Sequence, residues 1–238
     1  MVVDVKARVT PPDEFIEELE GLRRAHLGGR LLRTPKHYNS KEEVAAAKRR
    51  GHLGANDANH KFEGERYLNC TDRQVRRKQL RKLIDEGGQQ TVGVGLPSHP
   101  MLGRWESYEF GLTENEIRRL EKQDLDPERF IWQGWRTGMH RDGHWAVSIG
   151  SSLVGEGEKR LPEMQEKLQT EIREKRQQYR EWGIKDVDRA LANAIEHAGV
   201  DIEHSAFGED VIKRFVNTPE LQDELRRAFA LTLHISGY

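Results

Sequence analysis

The chain is short of cysteine, of net charge and of long apolar runs, and each shortage removes a class of protein. Cys70 is its only cysteine, which excludes an internal disulfide and any zinc or iron–sulfur site built on clustered thiolates. Lys and Arg number 39 against 40 Asp and Glu, for a net charge of −1, so no electrostatic footprint for nucleic acid or an anionic membrane is present. Apolar runs such as Trp145-Ala146-Val147 and Ala228-Phe229-Ala230-Leu231 fall far short of a membrane span or a signal-peptide core, and a soluble, cytoplasmic protein is expected. No run of alternating β-branched residues is long enough for a strand, and there is neither a repeat nor a low-complexity tail. At 238 residues the chain suffices for one domain with a full core, so a single domain over 1–238 is expected.

What is present is helical sequence with strong boundary chemistry. Thr10-Pro11-Pro12-Asp13, Ser40-x-x-Glu43, Thr71-x-x-Gln74, Thr113-x-x-Glu116, Asp126-Pro127 and Thr218-Pro219 each set a capping side chain ahead of a proline or three residues ahead of a reciprocal acceptor. Between them apolar residues keep the helical period, as in Phe15, Leu19 and Leu22 or Leu221, Leu225, Phe229 and Leu233. The pattern predicts an all-α chain with helices over 12–27, 41–68, 72–86, 99–111, 114–122, 127–182 with a break, 186–214 and 218–235. Gly87-Gly88 and Gly93-Val94-Gly95 make 87–98 the main loop.

The densest chemistry lies in His197-x3-Asp201-x2-His204. Offsets of four and seven put the three side chains on one stripe of a helix. Two imidazoles and a carboxylate suit Fe(II), Mn(II) or Zn(II); a solvated polar stripe is the plainer alternative. One helix cannot complete a metal site in a bundle, so ligands from facing helices are required. Asp85-Glu86 at a helix end, with His99-Pro100 opening the next helix, is one source. Glu158 is the other, four residues before Pro162, whose ring would bend a continuous helix at Glu158. Taken alone, Glu86 also reads as a solvent-facing acid of a last turn and Glu158 as a surface carboxylate.

The order of these fragments resembles the haem-oxygenase-like di-metal oxidases and oxygenases, a superfamily that also holds thiaminase-type proteins and pyrroloquinoline quinone synthase. Asn69-Cys70-Thr71-Asp72-Arg73 resembles the segment ahead of the first ligand helix. Asp85-Glu86-Gly87-Gly88, a loop, His99-Pro100-Met101-Leu102 and Phe110-Gly111-Leu112 resemble the glutamate, loop and histidine helix. Ser151-Ser152-Leu153 with Glu158-Lys159-Arg160-Leu161-Pro162 is similar to the bridging-glutamate segment, and His197 to His204 to the last ligand helix. The likeness runs from about residue 69 to 235, and only the last motif is specific by itself. It implies an all-α, seven-to-eight-helix bundle holding two irons per chain through Glu86, His99, Glu158, His197, Asp201 and His204, with Glu158 bridging. It further implies O2 as co-substrate, a peroxo-diferric intermediate, an iron-dependent oxidase or oxygenase acting on a small molecule, and a homodimer.

Within 41–68, positions 52, 56, 59, 60, 63 and 67 share one face. If that face looks inward, His52, Asn56, His60 and Tyr67 would bind a polar, amino-acid-like or other organic acid; the alternative is a face that meets water. His140 and His144, four apart, could form a competing ligand pair or serve as hydrogen-bonding groups. Tyr67 and Tyr108 are candidate oxidisable side chains, and Lys213 and Arg214 are carboxylate anchors or surface charges. Cys70 as a thiaminase-type nucleophile, His26 as a haem ligand and a ferritin-like Glu-x-x-His pair fit the sequence less well. A metal-free oxidase similar to pyrroloquinoline quinone synthase and a non-catalytic helical binding module remain alternatives of other classes.

Overall fold

The computed structural model describes residues 8–28, 37–50, 57–87, 98–123, 127–156 and 162–235, and only the backbone of residues 57–60, 85–87, 128, 129, 155, 156, 163, 197 and 199–201. Among the described residues the chain is helix and connecting turn, without a strand. The helices are α1 (Pro12–Leu27), α2 (Lys41–Arg50), α3 (Asp57–Asn69), α4 (Arg73–Gly87), α5 (His99–Glu109), α6 (Glu114–Glu121), α7 (Pro127–Asp142), α8 (Trp145–Gly150), α9 (Leu153–Glu156), α10 (Pro162–Glu181), α11 (Val187–Ala190), α12 (Ala192–Phe215) and α13 (Pro219–Ile235). Among the described residues no helix is long and apolar enough to cross a membrane.

Local chemistry sets many of these boundaries. At α6 the reciprocal cap forms in full, with Thr113 Oγ1 accepting from Glu116 N and the Glu116 carboxylate accepting from Thr113 N at 2.7 Å. Ser40 Oγ accepts from Glu43 N, and Thr218 Oγ1 from Leu221 N. At α4 the cap is Asp72 rather than Thr71: one carboxylate oxygen accepts from Gln74 N and Val75 N, both at 2.9 Å, because a charged acceptor outcompetes a hydroxyl for the same orphan donors. Thr10 caps nothing. Its backbone pairs with the Gln222 amide, N–H to Oε1 at 2.8 Å and C=O from Nε2 at 2.7 Å, and so ties the start of α1 to α13.

The expected helix over 127–182 is divided into α7, α8, α9 and α10. The first division falls at Gly143, where a Cβ would lie 2.6 Å from the Met139 carbonyl oxygen. His144 then adopts an extended backbone, and its Nδ1 accepts from Ala146 N to start α8. The bend expected at Glu158 lies outside the described residues. So do residues 51–56, between α2 and α3 of the expected 41–68 helix, and most of the 87–98 loop. The expected 186–214 helix is interrupted at Leu191, between α11 and α12.

Two hydrophobic clusters hold the bundle. The first gathers Phe15 and Leu19 of α1, Val75 of α4, Val147 and Ile149 of α8, Ile212 of α12 and Leu225 and Phe229 of α13. The second gathers Val44 of α2, Phe110 and Leu112 after α5, Ile117 and Leu120 of α6, Ile172 and Tyr179 of α10, and Ala198 of α12. Helix α12 therefore enters both, with Ala198 at one end and Val211 and Ile212 at the other. Closest approach in the first cluster is at Gly150, where a Cβ would come to 2.8 Å from Ile212 Cγ1 and 3.3 Å from Leu225 Cδ2. Gly150→Ala should destabilise the protein by about 1–3 kcal/mol through overpacking. Urea unfolding checks this, and a change under about 0.5 kcal/mol would show the crossing to be loose.

Candidate metal centre

The turns of α12 between its two apolar ends are polar. His204 and Ser205 are buried there, and His204, Gly208 and Val211 form one buried stripe at spacings of four and three. Positions 197 and 201 continue that stripe toward the N-terminus of α12 along unbroken helical backbone. At Gly208 a Cβ would stand 3.0 Å from Ser152 Oγ, which measures how closely α12 passes the chain entering α9.

His99 opens α5 and is buried. Ser98 fixes that helix start, its Oγ accepting from Met101 N at 3.3 Å. On α4 the buried stripe is Val75, Gln79 and Lys82, and position 86 is the next member at helical spacing, in the last turn. Helices α4 and α5 pack against each other and both pack against α12, as does α9, whose last residue precedes Glu158 by two. The structure thus brings together the helices that carry positions 86, 99, 197, 201 and 204. The side chains of Glu86, His197 and Asp201, and all of Glu158, lie outside the described residues. Among the described residues no group of three or more His, Cys, Asp or Glu is placed to hold a metal ion.

Of the expected substrate-binding residues, His52 and Asn56 lie outside the described residues, as does the His60 side chain. Tyr67 is half-buried at the α3–α4 seam, with the Arg76 guanidinium 5.8 Å from its ring centroid. His140 and His144 are not a ligand pair: His140 is buried with Nδ1 2.8 Å from Ser148 Oγ, and His144 is the exposed cap of α8. Tyr108 donates its hydroxyl to Glu114 beside Arg104. Lys213 and Arg214 are exposed and paired with Asp13 and Asp210. His26 is exposed. Cys70 is fully buried, which pushes its thiol pKa up and makes it a poor nucleophile.

A polar cluster that the sequence pattern did not single out joins α3, α4 and α7. Glu63, 4% exposed, accepts from Arg66 Nη1 at 2.5 Å and from Gln79 Nε2, and Lys82 Nζ stands 3.8 Å away. Burial pushes the Glu63 carboxyl up, but Arg66 and Lys82, helped by Gln79 and Arg136, hold it down at about 2. Arg136 lies over Phe62 and Trp132, 4.3 and 4.7 Å from their centroids, and Phe62 meets the His140 ring edge-on. Burial, then the charges of Arg66, Arg136 and Lys82, push the His140 pKa down, so its imidazole is neutral. Arg66 Nε, Gln79 Oε1 and His140 Nε2 are buried and find no hydrogen-bond partner among the described residues. Register could have signalled the cluster: Arg66 falls between Phe62 and Cys70 on the apolar stripe of α3, and Gln79 and Lys82 follow Val75 on that of α4.

Compared with known proteins, the chain matches no family model, and no curated protein is significantly similar to it.

Both shifted groups bind a proton more readily in the unfolded chain, so stability falls on acidification. His140 contributes above its ordinary value of 6.5 and loses that contribution as pH drops below it, at up to about 1.4 kcal/mol per pH unit. Glu63 adds a second loss between 4.5 and about 2. Urea titrations at pH 7.5 and 5.5 should show His140→Asn losing less stability than the wild type over this range. Equal losses would mean that His140 titrates normally in the fold.

Proposed function

We propose that this chain is a haem-oxygenase-like, non-haem di-iron oxidase or oxygenase that uses O2 to oxidise a small polar organic acid. Support comes from the burial of two imidazoles, His99 and His204, on helices α5 and α12 that pack against each other. Positions 197 and 201 share the His204 stripe, position 86 shares the inward stripe of α4, and α9 leads to Glu158 from the flank of α12. All-helical architecture is consistent with this reading.

The donor set fits two divalent irons held by Glu86, His99, Glu158, His197, Asp201 and His204. Three carboxylates against two divalent ions leave a net positive centre that attracts an anionic substrate, while neutral imidazoles complete the shells without added charge. When bound, the irons supply electrons for the reduction of O2. The protein's part is to exclude water: His99 and His204 are both buried, His204 between the two apolar ends of α12, and burial would shield a reactive centre from solvent. Ser98 positions His99 by fixing the first turn of α5.

Anaerobic loading of the full chain with Fe(II), removal of free metal and elemental analysis should give a stoichiometry near two irons per chain. His99→Ala and His204→Ala should each lower it to one or fewer while the helical circular dichroism is kept. Retention of full stoichiometry in both variants, or less than one iron in the wild type, would overturn the assignment.

A further inference from the structure

We infer that the outward face of α4 is a docking surface for an acidic amphipathic helix of a partner protein, gripped by Arg73, Arg77 and Arg81. The surface is independent of the iron centre and adds an interaction to the proposed oxidation.

Register defines the face. Val75, Gln79 and Lys82 form the buried stripe of α4, and positions 73, 77, 80, 81 and 84 fall on the opposite side of the helix. Arg73, Arg77 and Arg81 are exposed, and Leu80 among them is 40% exposed. The guanidiniums follow one another at intervals of four residues, a row of about 12 Å. None of the three forms a hydrogen bond, an ion pair or a ring contact with another described residue. Arginines elsewhere on the surface are matched: Arg24 by Glu17, Arg49 by Glu116, Arg118 by Glu114 and Arg176 by Asp188.

The described acids around α4 are committed to other groups. Asp72 caps the helix by accepting from Gln74 N and Val75 N, and Asp210 of α12 is paired with Lys78 and Arg214. Glu63 lies buried behind the opposite face, bound to Arg66 and Gln79. Glu65 of α3 acts on Arg141 of α7. The Asp85 side chain, one turn beyond Arg81, lies outside the described residues.

Two costs follow from this arrangement. Like charges four apart on a helix repel by about 0.2–0.5 kcal/mol per pair, and Arg73, the first residue of α4, stands at the positive end of the macrodipole. A carboxylate brought from outside relieves both. Carboxylates four apart on a partner helix repeat every 6 Å or so, as this row does, and an apolar residue between them would meet Leu80. A nucleic acid fits less well, because 40 acidic residues against 39 basic ones give the chain no attractive long-range field and the face has no aromatic residue on which a base could stack. A lipid surface would require more apolar side chains than Leu80 and the half-buried Ile84.

The test is fluorescence anisotropy of a labelled, end-capped helical peptide with Glu at every fourth position and Leu between, titrated with the full chain. A Kd of about 100 μM is expected at low salt, weakening about tenfold between roughly 50 and 200 mM salt. The same peptide with Gln for Glu should not bind. Arg77→Glu should weaken binding by about tenfold or more, whereas Arg119→Glu, at an exposed arginine of α6, should leave it unchanged. No binding of the Glu peptide, equal binding of the Gln peptide, or equal losses in Arg77→Glu and Arg119→Glu would overturn the surface. Tighter binding of a single-stranded oligonucleotide or of phosphatidylserine vesicles, lost in Arg77→Glu, would overturn the acidic helix as its occupant. Should Arg77→Glu fail to fold, the comparison of the two peptides on the wild type decides alone.

Discussion

Helix α12 has to satisfy two apolar clusters at once, and the arrangement of the other helices follows from that demand. Its 24 residues reach about 36 Å, enough for Ala198 to pack in one cluster while Val211 and Ile212 pack in the other. Between these ends the buried positions include the polar His204 and Ser205. Burying polar groups costs free energy unless they are partnered. The helix tolerates this because apolar contacts at both ends fix its position independently of the middle. Helices α4, α5 and α9 reach that same helix, so its His204–Ser205 side is enclosed while Ile202, Glu203 and Ala206 meet solvent.

A second buried polar layer lies around Glu63, and its energetics differ from those of a surface ion pair. Arg66, Gln79 and Lys82 all address one carboxylate that is almost completely removed from water. Removing one partner of such a group leaves an uncompensated buried charge and costs about 3–5 kcal/mol, although apolar replacements of the whole set can be neutral. A polar set here is therefore not what stability alone would choose. Its structural effect is to fix the register of α3 on α4, while Asn69 ties α3 to α7 through a bond from its side-chain amide to the His140 carbonyl at 2.5 Å. That register determines where position 86 stands.

Much of the helical architecture was legible because helix starts are local events. The Thr113–Glu116 box and the Ser40 and Thr218 caps need only neighbouring residues, and they formed as spaced. Asp72 displaced Thr71 because two good acceptors adjoined and spacing rules do not rank them. The division at Gly143 depends on a backbone approach to Met139 that periodicity does not encode. For the site, the His197–Asp201–His204 spacing was plain, and burial of His99 and His204 agrees with an inward face. Position 63 stood on the polar face of 41–68 that was read as either inward or solvent-facing, but its partners were missed because the basic residues of α3 and α4 were not weighed by register. Arg66 and Lys82 nonetheless occupy apolar register positions, and register rather than side-chain charge decides which way a helical residue faces.

Helix α4 links the two polar layers. Gln79 and Lys82 stand on its buried stripe beside Glu63, and position 86 is the next member of that stripe one turn further on. A rotation of α4 that withdrew Lys82 from Glu63 would turn position 86 by the same angle, since a helix rotates as a unit. The cluster therefore does mechanical as well as electrostatic service: a buried carboxylate on α3 holds the Gln79–Lys82 face of α4 inward even though α4 is otherwise rich in exposed Arg and Lys. Acids are disfavoured at a helix C-terminus, where the macrodipole is negative. Glu86 in the last turn of α4 thus stands where only a nearby cation would make a carboxylate favourable, and a metal ion is the partner that the proposed centre supplies.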